Sequence, residues 1–250
     1  MTVGALIIAR LSSTRLPNKN ILEISGKPMI IQLADRVSKS KKVDKVIIAT
    51  SNLPSDDPLE ELAKRYDILC HRGSLENVME RIVGAAEEFD CETIVEILGD
   101  NPLVHSDLID DVIDLHESYK ADYTANITTE YDPYCENMSL FSVGLRVQVY
   151  SLNAAREYIK FPEYDSNDRH PSAFMFDNPE IFKISFLEAK GKWKFMNRPR
   201  LNFAVNYRKN FKLIEKIFKQ QYQNNPNFNL ADVYDQLDKD VSLYSLFGPE

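Results

Sequence analysis

Residues 1–30 read MTVGALIIARLSSTRLPNKNILEISGKPMI and combine a strand pattern with a cationic loop. Residues 3–9 form a continuous apolar run, which is typical of a strand buried on both faces of a parallel sheet. A loop rich in hydroxyl groups follows directly and carries Arg10, Arg15 and Lys19. Because three like charges so close together repel one another unless an anion lies among them, the loop predicts an anion-binding site.

No standard phosphate motif identifies that anion, since the sequence has neither G-x-x-x-x-G-K-[ST] nor G-x-G-x-x-G. Pro17 is expected to stiffen the loop, and Asn18 is a residue that tolerates a positive φ where glycine would otherwise be expected. A phosphate group is therefore a hypothesis that rests on the three cations and their neighbouring hydroxyls.

The first half of the chain alternates between strand and helix patterns. Apolar runs predict strands over residues 3–9, 45–50, 68–70 and 93–98. Helices are predicted to begin at Pro28, Asp57, Ser74 and Ser106. This alternation is typical of βαβ units, so we expect an α/β fold with a parallel sheet.

The second half is less regular, and we expect one domain over residues 1–250 that carries insertions. Strands are predicted over residues 121–128, 142–150, 181–187 and 201–205. Helices are predicted over residues 151–159 and 168–177, along the stripe that begins at Phe211, and after the loop of residues 224–229.

Composition limits the classes of function. The 250 residues include 30 Lys and Arg against 38 Asp and Glu, a net charge of −8, which argues against nucleic acid or an anionic membrane as the main partner. The three cysteines lack metal-site spacing and predict a reducing, cytosolic compartment. The first apolar run is too short for a signal peptide, and no run approaches the roughly 20 apolar residues of a transmembrane helix.

Polar groups follow each predicted strand of the first half, where ligands of open α/β sheets bind. They are Arg10 at the end of the first strand, Thr50 and Ser51 at the end of the second, Arg72 at the end of the third and Asp100 at the end of the fourth. Cations with one carboxylate would suit a nucleoside triphosphate and its Mg²⁺ ion. The alternative, that each strand is simply followed by a polar loop, stays open for Ser51 and Arg72.

The segment ARLSSTRLPNKNI resembles the motif A-R-x-x-S-T-R-L-P-x-K of sugar-activating cytidylyltransferases, the family of CMP-Kdo synthetases and of the spore coat polysaccharide biosynthesis protein F group. Weaker resemblances follow in the family's order: IATS with DDP (residues 48–58), RGSLENVMER (72–81), LGDNPL (98–103) and DRH (168–170). The resemblance implies a Rossmann-like nucleotide-diphospho-sugar transferase fold, a mixed and mostly parallel sheet flanked by helices. It also implies transfer of CMP from CTP to a sugar acid or another anionic acceptor, with release of pyrophosphate.

The resemblance also implies roles for individual residues. It implies catalytic roles for Arg10, Lys19 and Asp100, with Mg²⁺ held by Asp100. It implies that the nucleotide is bound by Ala9, Arg10, Leu11, Ser13, Arg15, Lys19, Thr50, Arg72, Asn77, Arg81 and Asp100. Arg169 and His170 are candidate acceptor ligands, and for His170 a surface position is an equal alternative. Relatives use the region of residues 121–150 for a dimer contact or the acceptor side, so we expect a homodimer.

Two departures from the family pattern bear on function. Asn206 stands at the position of the family's second Mg²⁺ ligand, an aspartate, and its amide oxygen is a weaker, uncharged ligand. Arg146 and Gln148 stand where close relatives carry two acids. We interpret Arg146 and Gln148 as candidate acceptor ligands for a compound more anionic than Kdo, and a solvated strand face that varies without consequence is the alternative.

Two other functions remain open at this point. A chain that keeps the nucleotide loop but lacks a metal carboxylate could be a CTP-binding pseudoenzyme that regulates or supports a partner. A transferase that uses another nucleoside triphosphate has the same residues available, and the loop resemblance favours CTP.

Overall fold

The structure, a computed structural model, describes residues 1–161 and 171–248. Within these residues seven strands form one sheet in the order β5-β4-β1-β6-β8-β7-β9. The strands are β1 (Val3–Ile8), β4 (Lys45–Ser51), β5 (Leu69–Gly73), β6 (Thr93–Leu98), β7 (Tyr123–Asn126), β8 (Gln148–Ser151) and β9 (Ile184–Leu187). Two short strands, β2 (Glu23–Ile24) and β3 (Lys27–Pro28), pair separately. The opening strand of the chain therefore lies inside the sheet, between β4 and β6.

The sheet is mixed and mostly parallel, as predicted. Strand β1 runs parallel to β4 and β6, and β4 runs parallel to β5. Strand β8 is antiparallel to both β6 and β7, whereas β7 and β9 are parallel. The carboxyl ends of β5, β4, β1 and β6 consequently meet at one edge of the sheet.

Helices cover both faces of the sheet. One apolar core contains side chains of α1 (Met29–Val37), α2 (Asp57–Arg65), α4 (Ser106–Tyr119), α7 (Arg208–Asn224) and α8 (Leu230–Lys239). The other contains side chains of α3 (Val78–Glu88), α5 (Leu152–Tyr158) and α6 (Ala173–Asp177). Strand β1 directs Ala5 and Ile7 into the first core and Leu6 into the second, which explains its continuous apolar run.

Within the described residues, no helix combines the length and the apolar character needed to cross a membrane.

Three local predictions were wrong. Of the strand predicted over residues 142–150, only the last part is a strand, β8. The strand predicted over residues 201–205 is absent from the described residues, where an isolated bridge joins Val143 and Asn202. Gly144 has a φ of +83°, which bends the chain out of the sheet before β8. Helix α3 begins later than predicted: its cap is Asn77, whose Oδ1 accepts from the Glu80 amide, whereas Ser74 Oγ accepts from the Asn77 amide.

Candidate functional site

The ends of the two central strands are joined by a close backbone contact. The Gly99 amide, after β6, donates to the Ile8 carbonyl at the end of β1 at 2.9 Å. A Cβ atom at Gly99 would lie 3.0 Å from that oxygen and 3.0 Å from the Ala9 side chain, so glycine permits the approach. Arg10 and Asp100 therefore leave the sheet side by side.

The loop after β1 is folded back on itself by backbone contacts. The amides of Ser13 and Asn18 both donate to the Leu11 carbonyl, at 2.8 and 3.2 Å. The Leu11 amide donates to Asp56 Oδ1 at 2.7 Å, which anchors the loop to the segment before α2. Asn18 has a φ of 59°, so the prediction of a left-handed residue here is confirmed.

A cavity of about 410 Å³ opens between this loop, the end of β6 and the start of α3. Most of the predicted nucleotide ligands line it, namely Ala9, Arg10, Ser13, Arg15, Lys19, Arg81 and Asp100. Ser12, Thr14, Asn20, Leu75, Glu76 and Val78 line it as well. The structure thus brings the three cations of the opening loop and the Asp100 carboxylate to one wall.

Lys19 and Asp100 form an ion pair at the base of the cavity. Lys19 Nζ lies 2.9 Å from Asp100 Oδ2, 2.9 Å from the Val205 carbonyl and 3.4 Å from Asn206 Oδ1. The side chains are 10% and 20% exposed, so the pair lies largely out of water. The Val205 amide donates to the Asp100 carbonyl at 2.8 Å, which holds Asn206 beside the strand end.

A second cavity, of about 280 Å³, lies on the other side of Asp100. Arg15, Leu98 and Asp100 line both cavities, so the two form adjoining parts of one cleft. The remaining wall of the second cavity consists of Asn101, Glu130, Val143, Gly144, Arg146, Asn202, Ala204 and Asn206. Arg146 and Asn206, predicted for the acceptor and the metal, thus lie around the same space.

Two segments without regular secondary structure build that second wall. The Phe203 amide donates to the Val143 carbonyl at 2.8 Å. A Cβ atom on Gly144 would lie 2.2 Å from the Ala204 amide nitrogen, so the two segments touch there. The buried Asn126 side chain supports this wall from behind, because it donates to the Leu145 carbonyl and accepts from the Val147 amide on either side of Arg146.

Gln148 belongs to a polar network inside the core, which corrects its prediction as an acceptor ligand. Its Oε1 accepts from the hydroxyl groups of Tyr123 at 2.8 Å, Ser172 at 3.0 Å and Tyr131 at 3.3 Å. Gln148 is fully buried and does not line either cavity of the cleft. Its register partner on β6 is the fully buried Glu96, and burial raises the pKa of that carboxyl group.

Four predicted nucleotide ligands lie outside the lining of the cleft. Thr50 is fully buried, and Leu11 is buried in the anchored loop. The guanidinium group of Arg72 contacts Asp57 and Glu60 of α2, each at 2.7 Å. Asn77 caps α3 instead. Thr50 and Leu11 therefore contribute to buried parts of the protein, Arg72 to an ion-pair cluster with α2, and Asn77 to the N-terminus of α3.

Arg169 and His170, predicted to contact the acceptor, lie outside the described residues. Pro171, which follows them, lines the larger cavity. Sequence reasoning missed Glu130 and Asn202 in the second cavity. Neither lies in a motif, and only the fold brings them within reach of Asp100.

The residues around Asp100 suit an oxygen-coordinated cation. Oδ1 of Asp100 is buried and has no hydrogen-bond partner among the described residues, and Asn206 Oδ1 approaches the same ion pair. Carboxylate and amide oxygens are Mg²⁺ ligands in proteins, usually together with substrate phosphates and water. Among the described residues, no group of three or more His, Cys, Asp or Glu forms a metal cluster. The donor set therefore fits an ion bound mainly by its substrate.

The strand order, the strand-end cleft and the cationic loop define a nucleotidyltransferase of the Rossmann-like class. The family model for cytidylyltransferases matches residues 5–231. The chain belongs to the cytidylyltransferase family, whose members are CTP-dependent nucleotidyltransferases.

Individual relatives agree with this family. The chain is 27% identical to the spore coat polysaccharide biosynthesis protein SpsF of Bacillus subtilis, over 86% of this chain and 85% of that protein. It is 33% identical to the 3-deoxy-manno-octulosonate cytidylyltransferase of Geobacter metallireducens, over 45% of this chain and 44% of that protein. A cytidylyltransferase structure from Leptospira borgpetersenii superposes with a TM-score of 0.84, at 23% identity, covering 97% of this chain and 96% of that one. This last likeness establishes the fold.

Proposed function

We propose that the protein transfers CMP from CTP to an anionic acceptor and releases pyrophosphate. The observation that carries this proposal is the Lys19–Asp100 ion pair at the junction of two cavities, one lined by the cationic loop. The larger cavity suits a triphosphate, because Arg10, Arg15 and Lys19 can neutralise phosphate oxygens while Ser12 and Ser13 can donate hydrogen bonds to them. The smaller cavity then accommodates the acceptor.

Asp100 and Asn206 would hold Mg²⁺, which supplies charge neutralisation at the phosphates when it is bound. The Lys19 ammonium group lies between these two side chains and donates to both. It therefore orients the Asp100 carboxylate and places a positive charge of the protein beside the proposed Mg²⁺ position. Because Lys19 is largely buried, that charge is screened little by water.

The reaction is an in-line displacement at the α-phosphorus. A hydroxyl oxygen of the acceptor forms the new bond to phosphorus, the bond from phosphorus to the bridging oxygen breaks, and the hydroxyl proton leaves to solvent. The products are the CMP-acceptor, pyrophosphate and a proton. The protein contributes position and charge, as in other phosphoryl transfers, and needs no covalent intermediate.

The names of the relatives support a role in surface polysaccharide or glycoconjugate synthesis, since one is a spore coat polysaccharide biosynthesis protein and another a 3-deoxy-manno-octulosonate cytidylyltransferase. A sugar acid is accordingly the first acceptor class to test. The homodimer remains a prediction alongside this role.

A CTP-binding pseudoenzyme is the second candidate, favoured by the amide of Asn206 at the metal position. Asp100 is the sole carboxylate among the described residues near Lys19 Nζ, where a second would bind the cation more strongly. A pseudoenzyme would bind CTP in the larger cavity without converting it to product.

Pyrophosphate release separates the two candidates. The enzyme would be incubated with CTP, Mg²⁺ and a panel of acceptors: Kdo, sialic acids, sugar phosphates and small phosphonates. Release that depends on both CTP and one acceptor supports the transferase, and parallel reactions with ATP, GTP and UTP test the base. A melting temperature that CTP raises, without turnover on any acceptor, supports the pseudoenzyme. No effect of CTP on either measurement contradicts both.

A further inference from the structure

We propose that the smaller cavity recognises a dianionic phosphoryl or phosphonyl group on the acceptor, through the guanidinium group of Arg146. This inference rests on the proposed function and names the substrate class of that same cleft. It assigns the cavity beyond Asp100 to an acceptor with two separated parts, a hydroxyl near Asp100 and an oxyanion at Arg146.

Arg146 is a buried cation with at least one guanidinium N–H group that no described residue accepts from. It is 4% exposed and lines the cavity. Its Nε is buried without a hydrogen-bond partner among the described residues. Its contacts there are Glu130 Oε1, 3.5 Å from Nη1, and the Tyr131 ring, whose centroid lies 5.7 Å from Cζ. Since buried guanidinium groups are normally paired and hydrogen-bonded, these donors suit an oxyanion in the cavity.

The charge of the present partner favours a dianion over a carboxylate. Glu130 is a half-exposed carboxylate that approaches Arg146 on one side only. A monocarboxylate ligand would replace Glu130 at equal charge, so it would gain little. A phosphate or phosphonate dianion brings twice the charge to Arg146, and Arg15 lines the same cavity to share it.

The backbone around Arg146 is fixed before any ligand arrives. Asn126 bonds both the Leu145 carbonyl and the Val147 amide, at 3.2 and 2.7 Å. Gly144 packs directly against the Ala204 amide. A preorganised cation loses little conformational entropy on binding, so its position is consistent with ligand recognition.

The test measures anion binding by the intact protein with its nucleotide cavity already filled. The protein is saturated with CTP, and melting temperature is followed against inorganic phosphate, methylphosphonate or acetate. The pH is set well above neutrality so that both probes are dianions, because inorganic phosphate and methylphosphonate lose their second proton at higher pH than a phosphate monoester does. Saturation with CTP matters because free phosphate would otherwise bind the loop of Arg10 and Lys19.

We expect phosphate and methylphosphonate to raise the melting temperature and acetate to leave it nearly unchanged. Arg146→Gln should weaken the apparent affinity for both dianions by roughly 10- to 100-fold, as expected for loss of charge-assisted hydrogen bonds. Arg156→Gln, at an exposed ion pair with Glu87, is the matched control and should match the parent protein.

Glu130→Gln is the second variant, chosen because Glu130 is exposed enough to be replaced without disturbing the core. We expect it to tighten dianion binding, since it removes the carboxylate that competes for Arg146. Equal responses of the parent protein and Arg146→Gln, or weaker binding by Glu130→Gln, would overturn the inference. If CTP itself stabilises the protein in these experiments, the proposed nucleotide site stands whatever the dianions do, and if CTP has no effect the proposed function fails first.

Discussion

The ammonium group of Lys19 lies 2.9 Å from the Asp100 carboxylate, although 81 positions separate the two residues in the chain. The pair closes the gap between the carboxyl ends of β1 and β6, and it lies where the two cavities of the cleft adjoin. A charge pair in this position can bind a phosphate oxygen and orient a metal carboxylate at the same time.

Lys19→Met should abolish most of the transferase activity. The substitution keeps the length of the side chain but removes the cation beside Asp100, and loss of one preorganised electrostatic group costs roughly 10²- to 10³-fold in kcat. The measurement is pyrophosphate release with CTP and the acceptor that the panel identifies. Lys27→Met, at a half-exposed pair with Asp35, is the control. A similar loss in both variants would point to a general effect on folding instead.

Asn206→Asp should raise activity and lower the Mg²⁺ concentration needed for half-maximal rate. A second carboxylate beside Asp100 and Lys19 would bind the cation more strongly than the present amide does. Titration of Mg²⁺ in the pyrophosphate assay measures both changes. Asn202→Asp adds the same charge to the wall of the smaller cavity and serves as the control. Equal gains in the two variants would show that added charge, and not the metal position, is responsible.

Two of the four arginines predicted to bind the nucleotide, Arg10 and Arg72, should behave differently from each other. Arg10 lines the larger cavity, whereas the guanidinium group of Arg72 contacts Asp57 and Glu60 and lies outside the cleft lining. We expect Arg10→Gln to lower kcat/KM for CTP by roughly 10- to 100-fold, and Arg72→Gln to change it by less than about twofold. A large effect of Arg72→Gln on KM for CTP, with unchanged thermal stability, would contradict the structural placement.

The first half of the fold was predictable because its signals are local. A continuous apolar run predicts a strand covered on both faces, and β1, β4 and β6 agree with their predicted positions within a residue or two. The left-handed conformation of Asn18 was also predictable, because few residues other than glycine adopt it.

The placement of polar side chains was less predictable, because it depends on neighbours distant in sequence. Arg72 was expected after a strand that ends at residue 70, but β5 continues to Gly73 and includes it, and the guanidinium group contacts acids of α2. Gln148 lies in a strand, as predicted, but its side chain points into the core. There its Oε1 accepts hydrogen bonds from the hydroxyl groups of Tyr123 and Tyr131. Glu130 enters the cleft from an irregular segment that has no periodic pattern.

Gly144→Ala should destabilise the wall of the smaller cavity. Its φ of +83° disfavours any L side chain, and an added Cβ would meet the Ala204 amide nitrogen at 2.2 Å. Gly191→Ala is a matched control, since its φ is +56° but nothing lies within 4 Å. We expect a loss of about 1–3 kcal/mol in the free energy of unfolding for the control from backbone strain, and a larger loss for Gly144→Ala. Urea denaturation measures both, and equal losses would show that the contact with Ala204 relaxes easily.

Glu96→Gln should change how stability depends on pH. Glu96 is fully buried and accepts a hydrogen bond from the Tyr150 hydroxyl at 2.8 Å, which a glutamine oxygen can also accept. Burial raises the pKa of Glu96 above its ordinary value of 4.5, although the Tyr150 hydrogen bond and Arg146 oppose the shift. The folded state therefore holds a proton that the unfolded state releases, and this carboxyl group lowers stability as pH rises above about 4.5.

The glutamine variant has no such proton to release. Below the ordinary pKa the two proteins should differ little in pH response, and the free energy of unfolding of the variant should rise relative to the parent as pH increases toward neutrality. Urea unfolding of both proteins across this range measures the difference. A difference that shrinks with rising pH would mean that Arg146 stabilises a charged Glu96 in the folded state. In that case Glu96 would neutralise the cation assigned to the acceptor, and the dianion preference at the smaller cavity would weaken with it.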